Sequence, residues 1–257
     1  MEVKDQLERK VYLPTIPKRI ISLVPSQTEL LVDLGLEENL VGITKFCVHP
    51  EYLRKTKTIV GGTKEVKLKK IKALNPDIIL CNKEENTKEM VGELEEIAPV
   101  HVSDIVKIED AFELMFQYGE IFQKVALVET MVNSIKRKIT ALQEQLRDKP
   151  VKKVAYFIWK KPLMVAGQDT FIDELLKLNK FENVFKESRY PETTFEEIKA
   201  KNPELLLLSS EPFPFKEMHK EYFSELNMEI KLVDGEYFSW YGSRLVEAID
   251  YFKKLST

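Results

Sequence analysis

The chain states one ten-residue phrase twice. Ile71-Lys72-Ala73-Leu74-Asn75-Pro76-Asp77-Ile78-Ile79-Leu80 is echoed 127 residues later by Ile198-Lys199-Ala200-Lys201-Asn202-Pro203-Glu204-Leu205-Leu206-Leu207. The echo extends upstream, with Leu68 answering to Phe195 and Lys69-Lys70 to Glu196-Glu197. An earlier pair matches loosely: Lys18 to Leu23 resembles Lys152 to Phe157. The offset is close to half of the 257 residues. Two halves with the same order of elements predict two similar lobes facing each other. A cleft between two lobes is a usual place for a small ligand. Helix–Asn-Pro–strand is also a phrase that α/β chains can repeat by chance.

The flanking pattern is β-α-β alternation, which predicts a parallel sheet in each half. In the first half, strands are expected at Ile20 to Val24, Leu40 to Ile43, Asp77 to Cys81 and Val100 to Val102. Ser26 or Thr28 is the expected cap of a helix through Leu30, Leu31 and Leu34 that stops at Gly35. Helices are expected at Leu68–Leu74, where Pro76 ends the run, and at Thr87 to Ile97. In the second half, strands are expected at Val154 to Trp159, Leu205 to Ser209 and Met228 to Val233. Helices there span Thr170 to Leu178 with Thr170 as cap, Phe195 to Lys201, and Ser243 to Leu255.

The texture from Ile108 to Leu146 is different. It has no proline, one glycine, and apolar residues at helical spacing. A long amphipathic helix is predicted, with a break near Gln123. From Val125 to Arg147 it would reach on the order of 34 Å, enough to cross from one lobe to the other. The expected organisation is an N-terminal α/β lobe over 1–122, a connecting helix over 123–149 and a C-terminal α/β lobe over 150–257. Such a helical link limits lobe opening.

Composition narrows the function classes. Formal net charge is -3, from 39 basic and 42 acidic side chains, so no nucleic-acid partner is expected. Five lysines between Lys64 and Lys72 read as the solvated face of a short helix. Two cysteines, Cys47 and Cys81, give no disulfide framework, and spacing alone cannot say whether they pair. The start Met1-Glu2-Val3-Lys4-Asp5-Gln6 has no apolar signal core and no lipobox-like cysteine near it. A cytoplasmic protein is expected from the sequence as written, or a periplasmic one if a signal has been trimmed. A monomer is expected.

Ligands of open parallel sheets meet the loops after the strands' carboxyl ends. That rule selects Pro25, Ser26 and Gln27; Lys45, Phe46 and His49; Gly62, Thr63 and Lys64; and Asn82, Lys83, Glu84, Glu85 and Asn86 in the first half. In the second half it selects Trp159 and Lys160, Ser188, Arg189 and Tyr190, the loop Glu211 to Phe215, and the segment Phe238 to Arg244 with Trp240, Tyr241 and Arg244. Trp240 and Tyr241 offer aromatic faces, and Arg244 a fork for carboxylate or phosphate. The same aromatics could instead plug the base of a lobe. The histidines are His49, His101 and His219, and only Cys47 and His49 lie at ligand spacing, so no protein-held metal and no cofactor are expected. The nucleophile-elbow, P-loop and dinucleotide glycine motifs are missing, and no carboxylate pair suits acid–base work, so no catalytic residue is named.

Taken together, this layout resembles the helical-backbone (class III) substrate-binding proteins of ABC importers for vitamin B12, iron siderophores and haem. The carriers are Arg19 to Glu29, Val41-Gly42-Ile43-Thr44, Ile71 to Leu80, Asn183 to Arg189 and Ser239 to Leu245, spread from Pro17 to Leu255. The resemblance implies capture of a corrinoid or ferric chelate in an inter-lobe cleft, without catalysis, for transport or intracellular handling. An enzyme that uses the same fold and a polar cleft is the alternative. Departures from the B12 binders imply a more polar, more basic first lobe. Thr63 and Lys64 stand where an aromatic wall is expected, and Glu236 and Trp240 where a carboxylate and an arginine approach the corrinoid. The family docks on its permease through one glutamate per lobe. Glu196 matches one, whereas the other position is Lys69. A like-charge contact there would cost several kcal/mol, which implies that an ABC permease of the usual kind need not be the partner.

Overall fold

A computed structural model describes residues 1–255. The chain divides into two compact units. The first comprises Met1–Ile105, Glu109–Ile135 and Tyr241–Val246; the second comprises Val106–Ile108, Lys136–Trp240 and Glu247–Thr257.

The first unit opens with an antiparallel hairpin that the sequence pattern does not show, β1 (Glu2–Lys4) and β2 (Lys10–Tyr12). Its main sheet is parallel. The strands are β3 (Ile20–Ser22), β4 (Leu40–Thr44), β5 (Thr58–Gly61), β6 (Ile78–Asn82) and β7 (Val100–Ser103), in the order β5-β4-β3-β6-β7. The helices are α1 (Pro25–Asp33), α2 (Leu53–Thr56), α3 (Leu68–Ala73), α4 (Lys88–Glu95), α5 (Ile108–Ile121) and α6 (Val125–Leu146). Strand β6 is buried at every position, as a central parallel strand requires. One core cluster packs Ile21, Leu23, Val60, Ile71, Ile79, Leu94 and Val102.

Neither expected cap is used at α1. Pro25 opens that helix, Val24 is the cap residue, and no side chain bonds the free amides. Proline's fixed φ suits a first helical position, and its missing N–H is one that the helix cannot pair anyway. Thr28 instead turns inward, its Oγ1 2.8 Å from Ser22 Oγ and 3.0 Å from the Val24 carbonyl. The break near Gln123 is real: Gln123 has φ +56°, and α5 and α6 end and start on either side of it. Residues of α6 up to Ile135 belong to the first unit and those from Lys136 to the second.

The second unit holds β8 (Lys152–Lys160), β9 (Leu163–Val165), β10 (Phe181–Asn183), β11 (Leu205–Ser209) and β12 (Glu229–Val233). The order is β10-β8-β11-β12, all parallel, with β9 folded back antiparallel on β8. Its helices are α7 (Phe171–Leu178), α8 (Phe195–Lys201), α9 (Glu236–Ser239) and α10 (Leu245–Leu255). Thr170 caps α7 by accepting from the Asp173 amide, as its hydroxyl predicts. The final helix begins two residues later than expected, after a single 3-10 turn over Gly242–Arg244.

The repeated phrase is a repeated structure. Ile20 pairs with Ile78 between β3 and β6, and Val154 pairs with Leu205 between β8 and β11. Those are the residues matched by the two echoes. Asn75 and Asn202 both adopt left-handed φ, +45° and +48°, where each chain leaves its helix before Pro76 or Pro203. Asparagine tolerates that conformation better than other side chains with a Cβ.

Candidate functional site

In each sheet the strand order reverses at one point, between β3 and β6 in the first unit and between β8 and β11 in the second. Carboxyl ends at such a point are where open α/β sheets bind ligands.

In the first unit the interior of this point is closed by a buried polar network. Gln27 lies in the first turn of α1. Its amide donates to Ser103 Oγ at 2.7 Å and to the Tyr241 hydroxyl at 3.0 Å, and its Oε1 accepts from the Tyr118 hydroxyl at 2.7 Å. Asn82 donates to the same Ser103 Oγ at 3.0 Å. Burial pushes the Tyr241 phenol up from its ordinary pKa, so the hydroxyl stays protonated. Ser26 is buried beside this network. Tyr241 and Arg244 are 7% and 8% exposed, and their contacts are those of a plug. Arg244 grips Glu29 with both prongs, Nε to Oε2 at 2.9 Å and Nη2 to Oε1 at 2.6 Å. Trp240 is buried as well.

The loops above the network carry the accessible groups. Asn82 turns its Oδ1 to the amides of Glu84 and Glu85, at 2.9 and 3.1 Å, which shapes the loop after β6. Asn86 ties that loop to the next by donating to the Thr63 carbonyl at 2.8 Å. Lys64 Nζ donates to the Glu84 carbonyl. Gly61 has φ +141°, and a Cβ there would stand 2.5 Å from the Glu65 carbonyl, so the tight turn needs glycine. Gly62 lies beside Phe46 and Lys45, since a Cβ added to it would meet them at 3.3 and 3.5 Å. Lys45 Nζ sits 5.0 Å over the Phe46 ring, and Phe46 is 48% exposed. Lys83 pairs with Asp104 at 2.5 Å. His49 is half-buried after β4. Burial raises the pKa of Glu85, against the nearby Lys64 charge. Gly62, Thr63 and Lys64 are therefore bound to the loop of Asn82 and Glu84, and Lys45 and Phe46 adjoin the Gly62 turn.

The second unit's edge is aromatic. Trp159, 37% exposed at the end of β8, packs edge-on against Phe213 at 5.7 Å, and Phe213 contacts Phe215 at 4.8 Å. Beneath them the Tyr156 hydroxyl donates to Ser209 Oγ at 3.0 Å, and that Oγ donates to the Glu211 carbonyl at 2.7 Å. Arg189 has φ +66°, and its guanidinium donates to the Asp169 carbonyl at 3.3 Å. Tyr190 is half-buried next to it. Glu196 lies apart from this edge, exposed in the first turn of α8. Its own amide and the Thr194 hydroxyl hold its carboxyl below the usual range.

Sequence reasoning picked out Gln27 by its place after the first strand but missed Ser103 and Tyr118 as its partners in supporting the first edge, because polar residues inside helices and strands carry no local signal of a shared partner. Phe213 was visible only as part of a loop. Both cysteines are free and buried: Cys47 Sγ lies 3.1 Å from Thr28 Oγ1, and burial raises both thiol pKa values. Among the described residues, no three His, Cys, Asp or Glu side chains gather as a metal site, and no helix is long and apolar enough to cross a membrane.

Two doubly wound parallel sheets with ligand-type loops at their carboxyl edges, and one helix shared by both units, define a two-unit solute-binding protein. The Periplasmic binding protein family matches residues 20–228, and the chain belongs to it. An uncharacterized ABC transporter substrate-binding lipoprotein of Bacillus subtilis is 24% identical over 96% of this chain and 82% of its own length. Among solved structures, a periplasmic vitamin B12 binding protein of Vibrio cholerae superposes with a TM-score of 0.81 at 19% identity, covering 95% of this chain and 99% of its own. A periplasmic catecholate-siderophore binding protein of Vibrio cholerae gives a TM-score of 0.81 at 18% identity over 100% and 99%.

Proposed function

We propose that the chain is a substrate-binding protein that captures a corrinoid or ferric chelate without transforming it. The observation that carries this reading is the contrast between the two carboxyl edges. The first presents Lys45, His49, Lys64 and Lys83 on loops bound to one another. The second presents the Trp159–Phe213 pair. A metal chelate has apolar ring or catechol surface, which aromatic faces suit, and anionic or polar rim groups, which lysines suit. The ligands named for the two Vibrio cholerae structures are of this kind.

We further propose delivery to an ABC permease, with Glu196 at the docking surface. Its exposure and its ionised carboxyl suit a contact with a cation. Lys69, exposed on α3, reverses the charge expected at the matching position, so the permease would present a different partner there. Delivery to a permease would place the chain outside the cytoplasm.

The test is a thermal-shift screen against cobalamin, cobinamide, haem, ferric catecholate and ferric citrate, followed by calorimetric titration. One class should raise Tm by several degrees with one-to-one binding and unchanged ligand after incubation. No shift with any class, or chemical change of the ligand, would overturn the reading.

A further inference from the structure

Between Lys45 and Lys72 the sequence carries nine lysines and arginines against two glutamates, a local excess of seven positive charges in a chain whose formal net charge is -3. The structure gathers these residues around β5, the edge strand of the first sheet. Lys45, Glu51, Arg54, Lys55 and Ile59 line a hollow of about 370 Å³. From the other side, Lys70 Nζ reaches the Ile59 carbonyl at 3.4 Å, and the Lys67 amide bonds the Val60 carbonyl at 2.7 Å. Helix α2, strand β5 and the start of α3 therefore bring their basic residues to one edge of the sheet, with the half-exposed Tyr52 ring at the head of α2.

The face is unusual in leaving its charges unmatched. Many of the chain's other lysines find carboxylates, among them Lys83 with Asp104, Lys177 with Asp173, Lys201 with Glu187 and Lys220 with Glu217; what marks this face is the number of unpaired cations close together in the chain. Among the described residues, Arg54, Lys55, Lys57, Lys67, Lys69, Lys70 and Lys72 enter no ion pair. A lysine-lined edge strand resists sheet-to-sheet aggregation, but one or two charges suffice for that. Seven unpaired cations repel one another and are tolerated best where an anionic surface meets them. Clusters of four to eight basic residues near an amphipathic ring are what anionic phospholipid headgroups attract.

We propose that the β5 edge is a docking face for an anionic phospholipid surface. The face shares Lys45 with the first unit's carboxyl edge and Lys69 with the position proposed for permease docking, and the variants below leave both unchanged. Each cation near such a surface contributes about five-fold in partition coefficient, and the attraction decays within a Debye length.

Flotation of the full chain with vesicles tests it. Binding is expected to vesicles of phosphatidylcholine with phosphatidylglycerol, to be absent from phosphatidylcholine alone, and to disappear at high salt. The variant Arg54→Gln/Lys55→Gln/Lys57→Gln/Lys70→Gln should lose about 100-fold or more in partitioning. A control that removes four lysines elsewhere, Lys10→Gln/Lys153→Gln/Lys186→Gln/Lys199→Gln, should bind nearly as the parent does. Circular dichroism of both variants establishes that they are folded. No binding to anionic vesicles, equal binding to neutral ones, or equal loss in the control would overturn the proposal. Capture by poly-glutamate without capture by vesicles would also overturn it, and would assign the face to an acidic protein.

Discussion

Asp77 accepts the backbone N–H of Arg19 at 2.9 Å, and Glu204 accepts that of Lys153 at 2.8 Å. In both cases the amide of the carboxylate's own residue returns a bond to the same neighbour's carbonyl, again at 2.8 Å. Asp77 and Glu204 are the matched acids of the repeated phrase, and each clamps the start of the strand next to its own. Asp77 also accepts from the Lys18 amide at 2.8 Å, so its clamp has one bond more. Asp77→Ala should therefore destabilise by about 1–2 kcal/mol, and Glu204→Ala by about half as much because that carboxylate is exposed. Urea midpoints measure both. Equal losses would show that the second bond to Asp77 contributes nothing.

The pair of Glu29 and Arg244 belongs to the first unit although 215 positions separate its members. Glu29 is 16% exposed at its side chain and Arg244 8%. Burial raises the Glu29 pKa, and Arg244 opposes that rise. Arg244→Ala would leave the carboxylate nearly dry and uncompensated, at a loss of about 3 kcal/mol near neutral pH. The loss should shrink as pH falls, because protonation removes the unpaired charge. A loss that does not change with pH would assign Arg244 a packing role alone.

His101 is fully buried, with Nε2 2.9 Å from Gln117 Oε1 and no partner on Nδ1. The groups facing it are Asp5 and Arg9 from the N-terminal hairpin region, and Gln117 and Tyr118 from α5. Burial lowers its pKa from 6.5 to about 4. Between those values the unfolded chain binds a proton that the folded chain does not, so stability increases with pH across the window. The contribution is complete above pH 6.5 and is lost as pH falls toward 4, with a span of roughly 3 kcal/mol. His101→Phe should flatten the stability profile in that window relative to the parent. Parallel profiles for the two proteins would remove His101 as the source.

At the candidate site, Trp159→Ala and Lys64→Ala should each weaken capture of the ligand class found by thermal shift by about ten-fold, with stability changed by less than about 1 kcal/mol in Lys64→Ala and lowered by about 1–3 kcal/mol in Trp159→Ala, which loses its packing on Phe213. Titration calorimetry reads the first quantity and urea unfolding the second. An unchanged Kd in both variants would move the ligand away from these two edges.

The strands and helices of both sheets were legible because each is a local pattern. Apolar runs bounded by Pro or Gly mark β3, β6 and β11, and a threonine hydroxyl marks the start of α7. The hairpin of β1 and β2 was not, since three-residue strands with charged ends carry no period to count. Position after a strand's carboxyl end picked out Lys45, Lys64 and Lys83, which are accessible loop groups, and Trp159, which is exposed near the end of β8. It could not separate them from Tyr241 and Arg244, which follow the same rule but point into the interior.

The sequence by itself determined the repeat, the parallel alternation, the break at Gln123 and the family, because each is written in residues close together in the chain. Only the tertiary structure decided that Gln27, Ser103, Tyr118 and Tyr241 share one network, and that Glu29 holds Arg244. It alone gathered the lysines of α2 and α3 around β5. Those relations join side chains through space at distances of about 3 Å, and no local propensity encodes which distant partner a buried polar group will meet.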